Sequence, residues 1–164
     1  MNREERKKRL QDIIELNRQN AIKQEYEELA TEFCDELLEK ESINVLTVEQ
    51  SEGTVDRFVE EFPFDSSGSV ARIDWEKMSI KFQIDGAHHL SSFIKQGGFE
   101  NSVVYLMRKT SSSPNQTPVI STTIENIIIS FDNISYEEQF LYCPREKYVI
   151  EVLWSGEIIA GWQE

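Results

Sequence analysis

Residues 139–162 read QFLYCPREKYVIEVLWSGEIIAGW, and this stretch decides the fold. It holds three runs rich in β-branched and aromatic residues, at 139–142, 148–154 and 157–162. Pro144 to Lys147 separates the first two runs, and Ser155-Gly156 separates the last two. Because connections this short join antiparallel neighbours, the stretch predicts a three-stranded C-terminal meander.

Further strands are predicted upstream of the meander. Apolar residues alternate over 71–75 and again over 78–84, on either side of Glu76-Lys77, which predicts a hairpin with one buried face. Residues 43–49 and 102–108 are also rich in β-branched and aromatic residues, and each predicts a strand.

Short helices and a loop are predicted between these strands. Asp85 is a good N-cap residue for a helix that is predicted to run to Gln96. Gly97-Gly98 is predicted to end this helix, because glycine permits a positive φ. Apolar spacing over 55–62 predicts a short amphipathic helix, and a capping box over 122–125 predicts another. Residues 109–118 hold three serines and two prolines, which favours an exposed loop.

The N-terminal residues 1–41 predict a helical segment, because apolar residues recur there at steps of three and four. The recurring residues are Leu10, Ile13, Ile14, Ile22, Tyr26, Leu29, Ala30, Phe33 and Leu37. An unbroken helix would be about 55 Å long at 1.5 Å per residue, which exceeds a compact domain of this size. We therefore predict a break at Asn17 to Asn20, since asparagine is a poor interior helix residue and a good cap.

The whole chain is predicted to form one α+β domain over residues 1–164. Its 164 residues, 39% of them hydrophobic, are enough for a single core. The helical segment 1–41 is expected to pack on a mostly antiparallel sheet in 42–164, with inserted short helices and the C-terminal meander.

Charge is the strongest signal in the composition, and it is unevenly distributed. The net charge is −13, of which residues 24–65 alone carry −12, whereas residues 1–23 carry +3. A negative field repels nucleic-acid phosphates and anionic membranes, and it attracts basic proteins. The chain is therefore predicted to bind a basic protein, with neither nucleic acid nor membrane as a partner.

No catalytic, cofactor or metal constellation is visible in the sequence. His88 and His89 are the only histidines, and neighbours on a helix point about 100° apart, which is poor geometry for one metal ion. Neither Cys34 nor Cys143 lies in a basic context that would activate a thiolate. We predict no enzymatic activity and no cofactor.

The acid-rich helices supply the candidate contact residues for a basic partner. Carboxylates flank the apolar stripe of the N-terminal segment, and others lie on the helix predicted over 55–62. The predicted contacts are Glu27, Glu28, Asp35, Glu36, Glu60 and Glu61, with Trp75 from the neighbouring hairpin.

The C-terminal stretch also resembles a known family. A strand ending in proline (140–144), an aromatic-Val-Ile-Glu strand (148–151) and a Gly-Glu-Ile return strand (156–158) are similar to the closing meander of bacterial immunity proteins. These proteins belong to contact-dependent growth inhibition and related polymorphic toxin systems. The resemblance implies a cytoplasmic protein that neutralises a cognate toxin by stoichiometric binding. Many such toxins are basic nucleases, which agrees with the acidic charge.

Two other functions remain open at this point. The long N-terminal helix could mediate oligomerisation of a scaffold or regulatory subunit, which would be a stable homo-oligomer. The abundant carboxylates could also serve a hydrolase, although their number makes any chosen pair unspecific. A cytoplasmic location is expected, because Met1 to Arg9 is charged and no apolar run approaches the roughly 18 residues of a membrane span.

Overall fold

A computed structural model describes residues 1–37, 43–65, 71–109, 118–136 and 138–163, with only the backbone described at 29–30 and 32–37. Over these residues the fold is α+β and its main sheet is entirely antiparallel, as the sequence predicts. The sheet has seven strands in the order β1-β6-β5-β7-β8-β9-β4. Its strands are β1 (Asn44–Val45), β4 (Ile80–Gln83), β5 (Val103–Arg108), β6 (Ile120–Thr123), β7 (Gln139–Cys143), β8 (Tyr148–Val152) and β9 (Ile158–Trp162).

The predicted C-terminal meander forms the centre of this sheet. Leu141 pairs with Ile150, and Ile150 pairs with Ala160, so β7, β8 and β9 are consecutive neighbours. Every residue of β7 and β8 is buried, because both faces of the sheet are covered. The strand predicted over 102–108 is β5, and β6 is a strand that the sequence analysis missed.

Helices cover the two faces of the sheet. One face of the sheet packs against α3 (Ala87–Gly97), α4 (Ile124–Ile129) and α5 (Phe131–Ile134). The other face packs against α2 (Val48–Glu61). A small second sheet of β2 (Phe64–Asp65) and β3 (Arg72–Ile73), followed by a 3₁₀ turn at Trp75–Lys77, covers the rest of the α2 face. Two hydrophobic cores therefore share one sheet.

Local sequence explains where two of these helices begin and end. Thr47 accepts a hydrogen bond from the backbone N–H of Gln50, whose side chain accepts one from Thr47 in return, so a capping box starts α2. α2 thus begins inside the strand predicted over 43–49, of which only Asn44–Val45 is extended. Gly98 has a φ of 70° and ends α3 in the left-handed conformation that favours glycine, as predicted.

The N-terminal helix α1 (Arg3–Leu37) is continuous, so the predicted break at Asn17 to Asn20 is wrong. Glu15 pairs with Arg18 at 3.0 Å and accepts a hydrogen bond from Gln19, and the cost of each asparagine in a helix is well below 1 kcal/mol. The length argument fails because the first half of α1 is exposed on every side, and it extends beyond the sheet and its covering helices.

The hairpin predicted over 71–84 is also wrong. The 3₁₀ turn at Trp75–Lys77 redirects the chain, so β3 pairs with β2 and β4 pairs with β9 instead. The loop predicted over 109–118 lies outside the described residues at 110–117. Its first residue, Lys109, is a buried side chain and not an exposed one.

Candidate partner-binding surface

The solvent-facing side of α2 carries a row of carboxylates. Glu49, Glu52, Asp56 and Glu60 are all exposed, and at about 100° per residue they lie within an arc of roughly 80°. Phe58 points to the opposite side, into the core. We call these four residues the α2 acid row.

The acidic part of α1 lies beside this row. Among the described side chains of α1, Tyr26 is the one that is buried against the rest of the fold, at 5% exposure. Burial, and then the negative charges of Glu52 and Glu25, raise the pKa of the Tyr26 phenol above its ordinary value. Because the phenol is close to Glu52 of α2 as well as to its own neighbour Glu25, this part of α1 lies beside α2. We define the acidic surface as the α2 acid row together with the exposed residues Glu25 and Glu27, which flank Tyr26 on α1.

Two of the predicted contact residues, Glu27 and Glu60, therefore lie on this surface, whereas Glu28 is exposed on the side of α1 opposite Tyr26. Asp35 and Glu36 belong to α1, but their side chains lie outside the described part of the chain.

Glu61 is placed differently, because its carboxylate has partners within the fold. One oxygen accepts a hydrogen bond from Arg57 Nε at 2.9 Å, and the other accepts the phenol proton of Tyr142. The bond to Glu61 also raises the pKa of the Arg57 guanidinium above its ordinary value. Glu61 therefore fastens the end of α2 to the central strand β7.

Trp75 lies in the core at 6% exposure, so its side chain is not offered to a partner in this conformation. Its indole N–H donates to Glu151 at 2.9 Å, and the ring lies close to Gly161 of β9, where a Cβ would come within 3.0 Å of it. Trp75 thus positions the 3₁₀ turn against the sheet.

Glu151, which the sequence analysis missed, is the centre of a buried polar network. Its fully buried carboxylate accepts hydrogen bonds from the backbone N–H of Ile73 at 3.1 Å, from Trp75, and from Lys109 Nζ at 2.9 Å. The Lys109 ammonium also lies 3.8 Å from Glu138 and 4.4 Å from the centre of the Phe140 ring. The signal in the sequence is that Glu151 is the one carboxylate of β8, whose remaining four residues are aromatic or aliphatic.

A polar groove of about 380 Å³ opens beside α2, near the acidic surface. Arg57, Gln50 and Thr54 line it from α2, and Tyr105 and Tyr142 line it from the sheet. These side chains present hydroxyl, amide and guanidinium groups, which can hydrogen-bond to a loop of a partner.

Two buried tyrosines, Tyr142 beside this groove and Tyr148 in the core on the other face of the sheet, give a pH-dependent signal. Burial and the bond to Glu61 raise the pKa of Tyr142, and burial raises the pKa of Tyr148, whose hydroxyl lies 2.6 Å from that of Ser102. Unfolded tyrosines ionise near pH 10, so the stability contributed by the neutral phenols is complete below about pH 10 and is lost as the pH rises above it.

In an ultraviolet absorbance titration we expect Tyr142 and Tyr148 to ionise only together with alkaline unfolding, which far-ultraviolet circular dichroism would follow. Tyr148→Phe should remove absorbance amplitude from this unfolding-linked phase alone. Ionisation of Tyr142 and Tyr148 while the dichroism stays unchanged would contradict this assignment.

The described residues contain no group of three His, Cys, Asp or Glu side chains that could hold a metal ion. His88 and His89 are both exposed, and the Asp85 backbone N–H donates to His89 Nδ1. Among the described helices, none is both long and apolar enough to cross a membrane.

The family comparison agrees with the resemblance of the C-terminal meander. The model of the family "CdiI immunity protein EcoliA0-like" matches residues 27–161, which include the acidic end of α1, all of α2 and the whole sheet except Trp162, the last residue of β9. The first 26 residues lie outside the match. A comparison with curated proteins found no matching relative. Since the match covers far more than half of the sequence, the chain belongs to the EcoliA0-like family of CdiI immunity proteins.

Proposed function

We propose that this chain neutralises a basic toxin domain by stoichiometric binding through the acidic surface. Family membership supplies the immunity role, and the α2 acid row carries the proposal about where and how the toxin binds. In this proposal binding takes place in the cytoplasm, without catalysis and without a cofactor.

The electrostatics of α2 support a cationic partner. The four carboxylates of the α2 acid row project from one side of the helix, and the nearby Arg57 is already paired with Glu61. Among the described residues, none forms an ion pair with these four carboxylates, so the row presents negative charge that this part of the chain does not neutralise. Complementary fields of this kind raise association rates by factors of about 10–1000 and fall steeply with ionic strength.

A nuclease is the toxin class that fits this surface best. A nuclease cleft is basic because it binds phosphates, and carboxylates spaced along a helix can occupy the positions of those phosphates. The polar groove beside α2 can accept a loop of the toxin at the same time, which would add hydrogen bonds to the charge attraction.

The immunity role is tested by co-expression with the cognate toxin domain, which is to be sought in the reading frame next to that of this chain. We expect the toxin domain alone to stop growth, and this chain to restore it. If growth is not restored although both proteins are present and folded, the proposed function is wrong.

The binding surface is tested by charge reversal within the α2 acid row. The triple variant Glu52→Lys, Asp56→Lys and Glu60→Lys should lower the association rate with the toxin domain by about tenfold or more, and should weaken its salt dependence. Stopped-flow or surface-based kinetics at several salt concentrations would measure both effects. All three residues are exposed, so the variant should fold normally.

The matched control places the same charge change elsewhere. Glu100, Asp132 and Glu157 are exposed and belong to other parts of the fold, so reversing all three gives the same net charge. We expect this control to keep most of the association rate. Equal losses in the two variants would show that only net charge matters, and an unchanged rate in the first would exclude the α2 acid row.

A further inference from the structure

The first half of α1 carries an apolar stripe that nothing in the described structure covers. Leu10, Ile13 and Ile14 are each about half exposed, at 58%, 49% and 58%. At about 100° per residue, Leu10 lies roughly 160° around the helix from Tyr26, the residue that packs against the fold. The stripe therefore points away from the rest of this protein.

The residues that share this outward face follow a coiled-coil spacing. They alternate steps of four and three along the helix, which are the spacings of the a and d positions of a heptad, and Leu10, Ile14 and Ala21 are the apolar members. They are Arg3, Lys7, Leu10, Ile14, Asn17, Ala21, Gln24 and Glu28, and all eight are exposed.

The charges along this face are self-complementary in one direction only. The face is basic at Arg3 and Lys7, apolar in the middle, and acidic at Glu28. In a parallel pair, Arg3 would meet Arg3 and Glu28 would meet Glu28 of the second copy, which is repulsive. In an antiparallel pair, Arg3 of one copy meets Glu28 of the other.

The antiparallel register follows from the spacing. Leu10 packs against Ala21 of the second copy, and Ile14 packs against Asn17, each layer occurring twice by symmetry. At the flanks, Arg6 meets Glu27 favourably and Glu4 meets Glu25 unfavourably. With two favourable kinds of ion pair, one unfavourable kind and asparagine in two central layers, the association should be weak and reversible.

We infer that the outward face of α1 binds a second copy of this chain as an antiparallel helix pair. This inference does not rest on the toxin-binding proposal. It gives the first 26 residues, which lie outside the family match, a role of their own. It also places Glu27 and Glu28 against basic residues of the second copy, so a toxin could use those two carboxylates only after the pair dissociates.

Sedimentation velocity on the full chain without toxin, over a concentration series, tests the pairing. We expect a reversible monomer–dimer equilibrium that weakens as salt is added. Leu10→Gln with Ile14→Gln should leave a monomer at every concentration. The control Leu16→Gln with Val59→Gln makes the same chemical change at two exposed positions off the face, and it should keep the dimer.

Charge swaps test the direction of the pair. Arg3→Glu alone and Glu28→Arg alone should each weaken the dimer, because each sets like charges opposite one another. The combination of both should restore it, since Glu at position 3 then meets Arg at position 28. A monomeric parent protein, a dimer that survives the loss of Leu10 and Ile14, or a failure of the double swap to restore association would each overturn the inference.

Discussion

Replacing Glu151 with leucine is expected to lower the free energy of unfolding by about 3–5 kcal/mol, because the change breaks a buried ion pair from one side. Lys109, whose side chain is 4% exposed, would keep a buried charge without its main partner. The indole N–H of Trp75 and the backbone N–H of Ile73 would lose their acceptor as well. Urea unfolding followed by tryptophan fluorescence measures the change.

A double-mutant cycle separates the interaction between Lys109 and Glu151 from the other effects of each substitution. Lys109→Met alone should also be strongly destabilising, because it leaves the Glu151 carboxylate buried without its cation, although Trp75 and Ile73 still donate to it. The double variant Lys109→Met with Glu151→Leu removes both charges, so we expect it to lose less than the sum of the single variants. Glu138 lies 3.8 Å from Lys109 and can partly compensate the ammonium when Glu151 is absent. Losses below about 1 kcal/mol in both single variants would contradict a stabilising network.

This network also shows why part of the site could not be predicted. Trp75 and Glu151 are 76 residues apart, and Glu61 and Tyr142 are 81 apart. Alternating apolar residues indicate a strand, but they carry no information about which distant polar group will meet a given side chain. Trp75 and Glu61 were therefore predicted as contact residues from local pattern, whereas long-range partners hold the Trp75 indole in the core and bind the partly exposed Glu61 carboxylate.

The elements that were predicted correctly have local causes. The meander follows from short turns between apolar runs, and the end of α3 follows from one glycine at a positive φ. The hairpin prediction over 71–84 was wrong because Glu76-Lys77 was interpreted as the turn between two paired strands, whereas it belongs to a 3₁₀ turn that redirects the chain. The break in α1 failed because the argument assumed that the helix stays within a compact domain.

The acidic surface was predictable in composition but not in shape. The sequence alone shows that residues 24–65 carry most of the negative charge. The spacing of the α2 acid row becomes visible once the helix is known to begin at Val48. Because a strand was predicted over 43–49, Glu49 was not assigned to that helix. The closeness of the acids of α1 and α2 depends on how Tyr26 packs, which only the tertiary structure gives.

Phe58→Ala is expected to destabilise the fold by about 3–5 kcal/mol, because the ring fills the centre of an aromatic cluster and its loss leaves a cavity. Phe58 is 2% exposed. Its ring centre lies 4.8–5.6 Å from those of four other aromatic residues, Phe62, Phe64, Phe140 and Tyr142. The same contacts hold α2 on the sheet, so the substitution loosens the helix that carries the α2 acid row while leaving every carboxylate in place.

The neighbour Val59 provides the control, since it is 54% exposed on the same helix. Val59→Ala should change the stability by no more than about 0.5 kcal/mol. Urea denaturation monitored by near-ultraviolet circular dichroism would give both values. With toxin domain as the probe, the binding defect of Phe58→Ala should shrink on cooling or in a stabilising osmolyte, because the defect comes from the unfolded population. The charge-reversal triple variant should keep its slow association under the same conditions. If Phe58→Ala is as stable as the parent protein, or if its binding defect persists in a fully folded sample, then α2 is not held to the sheet in the way described.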